Sequence, residues 1–381
     1  MASRIPILLG VALGLAVSAG VLYFYHGGRA DPAGPAAGPL LSECDGALRR
    51  LVIQYAGEDD DDVVGPTYRA FLRQLPAGID VHAVCPDEQA FAALRRRVGP
   101  TECRLTPVLV GHPITSWSRD RWLALRPSEG EGATLLFSRA EDGAEVWPAR
   151  KGDQQVAGDL AAALGPAVRS RRSDLYFDGG DFAADNETAF ARPSILLRNL
   201  QRTVATRAEL IDSLTGALKH SVVVLEGAPD HHVGMYLMPV GGRTVLVGDP
   251  KMAQDMLART EQEASAVASY LPGGPDFTEA TVASFEAVAE QCRVAGYRVV
   301  RIPIVPGSDG RTYLTYVNGI LDERDGRRIA YLPAYSFAGS LNRAATEVWT
   351  ELGYEVRPVE CDACARHFGT LHCLVNVLQR D

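Results

Sequence analysis

The chain has no basic excess. Its 38 Lys and Arg are outnumbered by 47 Asp and Glu, a net charge of -9 over 381 residues. That balance argues against a nucleic-acid partner and suits a cationic small substrate. Tryptophan is scarce: four are present, and two of them, Trp117 and Trp122, flank one charged cluster. A second Cys-x-x-Cys is missing, so Cys361-Asp362-Ala363-Cys364 has nothing with which to complete a zinc knuckle. It reads as a disulfide or as two unrelated core thiols. The seven cysteines are an odd number, which leaves at least one thiol free unless pairing is intermolecular. Apolar residues are not in short supply: 46% of the chain is hydrophobic and 22% charged, which excludes a disordered protein.

Charge is absent from Ile5 to Tyr25, a run long enough to cross a bilayer as a helix. Arg4 precedes it as a short positive flank. Val17-Ser18-Ala19 offers a small-residue cleavage site, but the apolar run continues past it to Tyr25. The expectation is an uncleaved signal-anchor over residues 1–26, with a cleaved signal peptide as the competing reading. No cysteine stands near this segment to take a lipid. The positive flank favours a cytoplasmic N-terminus and an exported body, anchored in the membrane and facing the periplasm or cell surface. A secreted protein is the alternative if cleavage occurs. Residues 27–42 are rich in Gly, Ala and Pro and read as a linker. Residues 43–381 form the folded body.

Along that body the pattern is α/β. Leu51 to Tyr55 reads as a buried strand, followed by an acidic loop at Glu58 to Asp62. Helical spacing is expected over Thr67 to Gln74 and Asp87 to Arg97, with strands at Val81 to Val84 and Leu105 to Val110. The second half repeats a theme of one helix with two or three strands. Helices are expected over Thr206 to Lys219, Val282 to Ala295 and Asn342 to Leu352. Strands are expected at Ser221 to Leu225, Val233 to Pro239, Thr244 to Val247, Tyr297 to Ile304, Tyr313 to Leu321, Arg328 to Leu332 and Glu355 to Val359. Pro250 to Gln262 and Leu271 to Phe277 read as loops. The order of elements implies a repeated unit, arrayed around a central cavity.

Five short stretches carry candidate chemistry. In Trp117-Ser118-Arg119-Asp120 a carboxylate stands beside a flat aromatic face, a receptor for a planar cation or else a surface ion pair over a packed ring. Phe177-Asp178-Gly179-Gly180-Asp181-Phe182 brings two acids together over a tight bend, or is simply a hairpin turn. His231-His232 opens a stretch expected as a strand, on which adjacent side chains face opposite ways. One histidine as general acid or base is then the functional reading, and a zinc pair is not. Tyr316-Val317-Asn318-Gly319 places an amide at a strand end, where it contacts a ligand or caps a turn. Gly369-Thr370-Leu371-His372-Cys373 sets a cysteine after a turn and at the start of an ordered element, the position of a nucleophile or of a buried structural thiol.

Taken in order, these stretches resemble the guanidino-group modifying, or pentein, superfamily. The pattern is most similar to the branch of agmatine deiminases and bacterial peptidylarginine deiminases. The resemblance implies a pentein-type α/β propeller over roughly Leu51 to Asp381, behind an N-terminal transmembrane helix. It implies hydrolysis of a guanidino substrate, arginine-type or agmatine-type, free or peptide-borne, without metal or organic cofactor. Cys373 matches the nucleophile that forms a thiouronium intermediate. His232 matches the histidine that protonates the leaving ammonia and then activates water. Asp120 matches the carboxylate that grips the guanidinium, Trp117 the aromatic beside it, Asp178 the acid before the Gly-Gly pair, and Asn318 a substrate-contacting asparagine.

Two departures stand out. Relatives usually read His-x-Asp, with a second carboxylate for the guanidinium, where this chain has His232-Val233-Gly234. Asp181 or Asp230 are candidates to replace it. A Gly-Gly run before the His-Cys is replaced by Phe368-Gly369-Thr370-Leu371. A degenerate, guanidine-binding module and an amidinotransferase are therefore carried as alternative functions.

Overall fold

Leu51, Val52 and Ile53 lie fully buried in the strand Leu48–Gln54, whose apolar run marks it as a strand covered on both faces. It is the middle of a sheet assembled from both ends of the chain. One neighbour is the parallel strand Asp80–Cys85, which in turn pairs with Arg104–Leu109. The other is the antiparallel strand Val375–Arg380, close behind Cys373.

The computed structural model describes residues 37–127, 132–141 and 146–381. The membrane-crossing segment expected at residues 5–25 falls outside these. Among the described residues no helix is long and apolar enough to cross a membrane. The expected linker ends before residue 42, because Ala37–Leu40 is already a strand and Leu40 and Leu41 are buried.

The same move recurs five times: an antiparallel strand pair, then a helical crossover to a third strand parallel to the second. The Leu48–Gln54 sheet is one such unit. A second runs Trp122–Pro127, Ala133–Phe137 and Val168–Arg172. A third runs Phe182–Ala184, Thr188–Ala191 and Ser221–Val224. The fourth is Leu237–Pro239, Thr244–Asp249 and Arg298–Pro303, and the fifth Ile320–Arg324, Arg327–Ala334 and Tyr354–Glu360. The sheets stay separate, and none closes into a barrel among the described residues.

Local signals hold where they are strong. The helix Glu88–Val98 starts where Asp87 accepts a hydrogen bond from the Ala90 amide at 2.8 Å. The helix Arg207–Leu218 starts on a capping box of Thr206 and Glu209. Four expectations are corrected. Glu58 to Asp62 is not a loop: a 3-10 turn leads into the helix Asp61–Leu72, and Asp61 and Asp62 sit in its first turn, where the helix dipole favours carboxylates. Val233 to Pro239 is not one strand: Val233–Met235 is a 3-10 turn, and only Leu237–Pro239 pairs. Tyr313 to Leu321 likewise breaks into the pair Tyr313–Leu314, a loop holding Asn318, and the start of Ile320–Arg324. Pro250 to Gln262 is mostly helical, covered by Pro250–Leu257 and the start of Glu261–Tyr270. All seven cysteines are unpaired and buried, so Cys361 and Cys364 are core thiols.

Candidate active site

The segment leading into the first strand of each unit turns toward one cleft of about 810 Å³. Ser116, Trp117 and Asp120 come from the segment before Trp122–Pro127, and Asp178 from the one before Phe182–Ala184. Asp230, His231 and His232 precede Leu237–Pro239, Arg311 precedes Ile320–Arg324, and His367, Phe368 and Cys373 precede Val375–Arg380. Cys373 is 5% exposed and still lines the cleft, so the thiol opens to solvent on one side.

Two glycines bring the walls together. A side chain at Gly179 would overlap the carbonyl oxygens of Arg119 and Trp122, so the turn Gly179–Asp181 lies directly on the Trp-Ser-Arg-Asp segment. A Cβ at Gly180 would stand 2.5 Å from Nδ1 of His232. Asp181 is fully buried and does not line the cleft. Its carboxylate accepts the Asp178 amide hydrogen at 2.8 Å and so aims Asp178.

Asp178 is held by cations. Arg198 donates from Nη1 to both Asp178 and Asp181 at 3.1 Å, Arg121 stands 3.4 Å from Asp178, and His232 Nε2 stands 3.9 Å from it. Burial favours the neutral acid, but attraction to His232, Arg198 and Arg121 outweighs it and holds the Asp178 carboxyl far below its ordinary range. Burial likewise disfavours charge on His232. The pull of Asp178, the contact with the Cys373 thiol and the charge of Asp120 outweigh it, raising the His232 pKa well above its ordinary value. Burial and then repulsion from Asp178 push the Asp181 pKa up. Ligand atoms of Asp178, Asp181 and His232 lie within 4.8 Å of one another, the spacing of a cation site. The Arg198 guanidinium already supplies a positive charge to both of these acids.

The two histidines do not sit on a strand, and both line the cleft. Burial, then repulsion from His232, lowers the His231 pKa to about 3. His231 accepts the His232 amide hydrogen on Nδ1 at 2.8 Å and donates from Nε2 to the Arg311 carbonyl at 3.1 Å. Only His232 is thus set up to carry a proton.

Asn318 lies behind the thiol rather than on the cleft wall. Its Oδ1 accepts from Thr370 Oγ1 at 2.6 Å, from the His372 amide at 3.1 Å and from Cys373 Sγ at 3.5 Å. Its Nδ2 is buried and unpartnered, facing the space beside Gly234, where a Cβ would stand 3.2 Å from it and 3.0 Å from His372 Nδ1. Asp230 is largely exposed and paired with Arg192. A further layer has no trace in the motifs: buried Glu43 binds Arg119 and accepts from His372 Nε2 at 2.9 Å. Arg119 also donates to Asn376 Oδ1 at 3.2 Å, and its amide donates to the Cys373 carbonyl at 3.2 Å. This network ties the segment bearing Asp120 to the one bearing Cys373. Glu43 stands at the edge of the Gly/Ala/Pro stretch, where nothing in the sequence singles it out.

Arg150, in the helix Pro148–Asp153, reaches into the same place. Its Nη1 donates to Asp120 at 2.7 Å, and its Nη2 stands 3.6 Å from Asp178.

No protein-family model and no curated protein matches this sequence. Solved structures do match it. The agmatine deiminase of C. jejuni superposes with a TM-score of 0.64 at 14% identity, over 93% of this chain and 100% of that one. The chain shares the fold of that protein. The agmatine deiminase of Enterococcus faecalis gives 0.65 at 15% identity, over 92% of this chain and 99% of that one. A protein provisionally assigned as a peptidyl-arginine deiminase gives 0.66 at 13% identity, over 90% and 99%. At such identities the pentein likeness is one of architecture, and the chemistry rests on the residues in the cleft.

Proposed function

We propose that this protein hydrolyses the guanidino group of an arginine-type or agmatine-type substrate, free or peptide-borne, to a ureido product and ammonia. The observation that carries the reading is that Cys373, His232, Asp120, Asp178 and Trp117 line one cleft. A guanidinium carbon is a poor electrophile, because resonance spreads its charge. Asp120 and Asp178 would hold the planar cation, with Trp117 beside it, so that the Cys373 thiolate meets the carbon in line. Attack forms the C–S bond. A proton from His232 then lets ammonia leave, giving the thiouronium adduct. Neutral His232 next takes a proton from water as it adds to that carbon, and collapse returns the thiolate and releases the urea. Asp178 suits this sequence, since it favours a protonated His232 at the start.

Asn318, whose Oδ1 accepts from the Cys373 thiol, orients the sulfur in this reading, and Asp181 aims Asp178. The five units stand around the cleft as propeller blades, each lending it a lead-in segment. The body is anchored at the membrane by residues 5–25 and faces out of the cytoplasm, which fractionation with protease accessibility would check.

The decisive experiment is a colour assay for ureido groups on agmatine, free arginine, arginine peptides and methylated arginine. Product is expected on at least one of them and none with Cys373→Ala. A folded protein inactive on all four would overturn the reading. Gly234 favours a second reading, a module that binds guanidines without turning them over. Calorimetric binding of agmatine with no ureido product would establish it.

A further inference from the structure

The clamp assigned above to a substrate guanidinium already contains one. Arg150 lies with its side chain 14% exposed and that of Asp120 13% exposed, and the two share a hydrogen bond of 2.7 Å. Among the described residues this is the only ion pair Asp120 makes. Asp178 is different: Arg121 and Arg198 neutralise it from behind, while its Oδ1 is buried with no hydrogen-bond partner. Arg150 Nη2 is the cleft-side cation nearest that oxygen, and at 3.6 Å it falls short of a hydrogen bond. The chain's own guanidinium therefore fills the clamp and satisfies only half of it.

We propose that Arg150 sets the affinity of this site by acting as an internal competitor, a pseudo-substrate that each incoming guanidino ligand must displace from Asp120. The proposal rests on the deiminase reading of the same cleft. A ligand whose guanidinium presents two N–H edges reaches both Asp120 and Asp178 Oδ1 and makes the hydrogen bond that Arg150 leaves unmade. That difference drives the exchange. A released Arg150 remains beside Trp147, whose ring lies 5.8 Å from its guanidinium carbon and is largely exposed. The competition lowers affinity for every guanidinium and leaves the bond-making groups Cys373 and His232 untouched. Its signature is a change in KM without a matching change in kcat.

The test uses the full chain. Agmatine binding is measured by calorimetry in Cys373→Ser, with and without Arg150→Ala, and kcat and KM are measured in the Arg150→Ala enzyme. Removing one charge-assisted competitor should tighten agmatine binding about 10- to 100-fold and lower KM in step, with kcat within about 3-fold of its starting value. Guanidinium ion alone should inhibit Arg150→Ala at lower concentration than it inhibits the unaltered enzyme. Arg150→Gln keeps the stem and a donor for Asp120. It is the second variant should alanine fail to fold, and the same direction is expected of it. If the unaltered enzyme deiminates agmatine but the Arg150 variants bind it equally or less well, Arg150 is a structural or substrate-contacting residue: the competitor is refuted and the deiminase stands. Citrulline at position 150, found by peptide mass mapping and absent from Cys373→Ala, would make Arg150 a substrate and refute it as well. If folded proteins of all these kinds bind no guanidino probe, the clamp itself is refuted and both readings go.

Discussion

At the scale of single residues, the site is a problem of holding charge in place. His232 is half-buried, and desolvation would strip its proton there were it not chiefly for the carboxylate 3.9 Å away. Asp178→Asn removes that pull while keeping the shape. The His232 pKa should then fall, because the largest of the influences that raised it is gone and burial is opposed only by the Cys373 thiol and the charges of Asp120 and Asp181. The alkaline limb of kcat/KM against pH, where His232 loses its proton, should move to lower pH. At the optimum kcat should drop about 100-fold, the lower end of what a positioned acid contributes. An alkaline limb that stays in place would show that Asp178 does not hold the His232 proton.

At the scale of elements, the 3-10 turn Gly179–Asp181 does two jobs, separable by mutation. Its first glycine packs on backbone, so Gly179→Ala must move the chain and should cost about 1–3 kcal/mol of stability, read by urea unfolding. Its second glycine packs on the His232 ring, so Gly180→Ala should spare most of the stability. It should lower kcat about 100-fold by displacing the imidazole. Equal losses of stability in both variants would sink that division.

The turn was legible as Asp-Gly-Gly-Asp, and so were the long elements with caps, such as Glu88–Val98 behind Asp87. The rest of the region from Trp122 to Ala205 was opaque, because strands such as Phe182–Ala184 and Thr188–Ala191 are too short to show a period. The histidine pair was misplaced because Val233 and Leu237, apolar and near a true strand, hid the turn between them. Arg150 was invisible for another reason. Nothing about a helical arginine announces that tertiary packing delivers it to an acid many residues earlier in the chain. The cleft's inventory was readable as types in order, and their aim was not.

At the scale of the whole molecule, the two ends of the folded body are tied through Glu43. Its carboxylate is buried against Arg119 and His372, and the Arg380 guanidinium donates to its carbonyl at 2.8 Å. Burial favours the neutral acid, yet the charge of Arg119 and the hydrogen bond from His372 prevail and bring its pKa from 4.5 to about 2. A carboxyl with a lowered folded pKa contributes stability above its ordinary value and loses it as pH falls through the folded one. The contribution should therefore fade between pH 4.5 and about 2, by on the order of 3 kcal/mol. Glu43→Gln should be less stable at pH 7 by about 3–5 kcal/mol, since buried Arg119 is left unpaired, and its stability should fall less steeply over that acid range. Urea unfolding at pH 7 and pH 3 measures both, and parallel pH curves for the two proteins would refute the assignment.

The pairing of Val375–Arg380 with Leu48–Gln54 has a consequence for synthesis. A polypeptide translated short of Cys373 has neither the sulfur assigned to attack nor the edge strand behind it. On the deiminase reading, a product of termination before Cys373 lacks the nucleophile, and one that ends between Cys373 and Arg380 has the sulfur without the complete strand behind it.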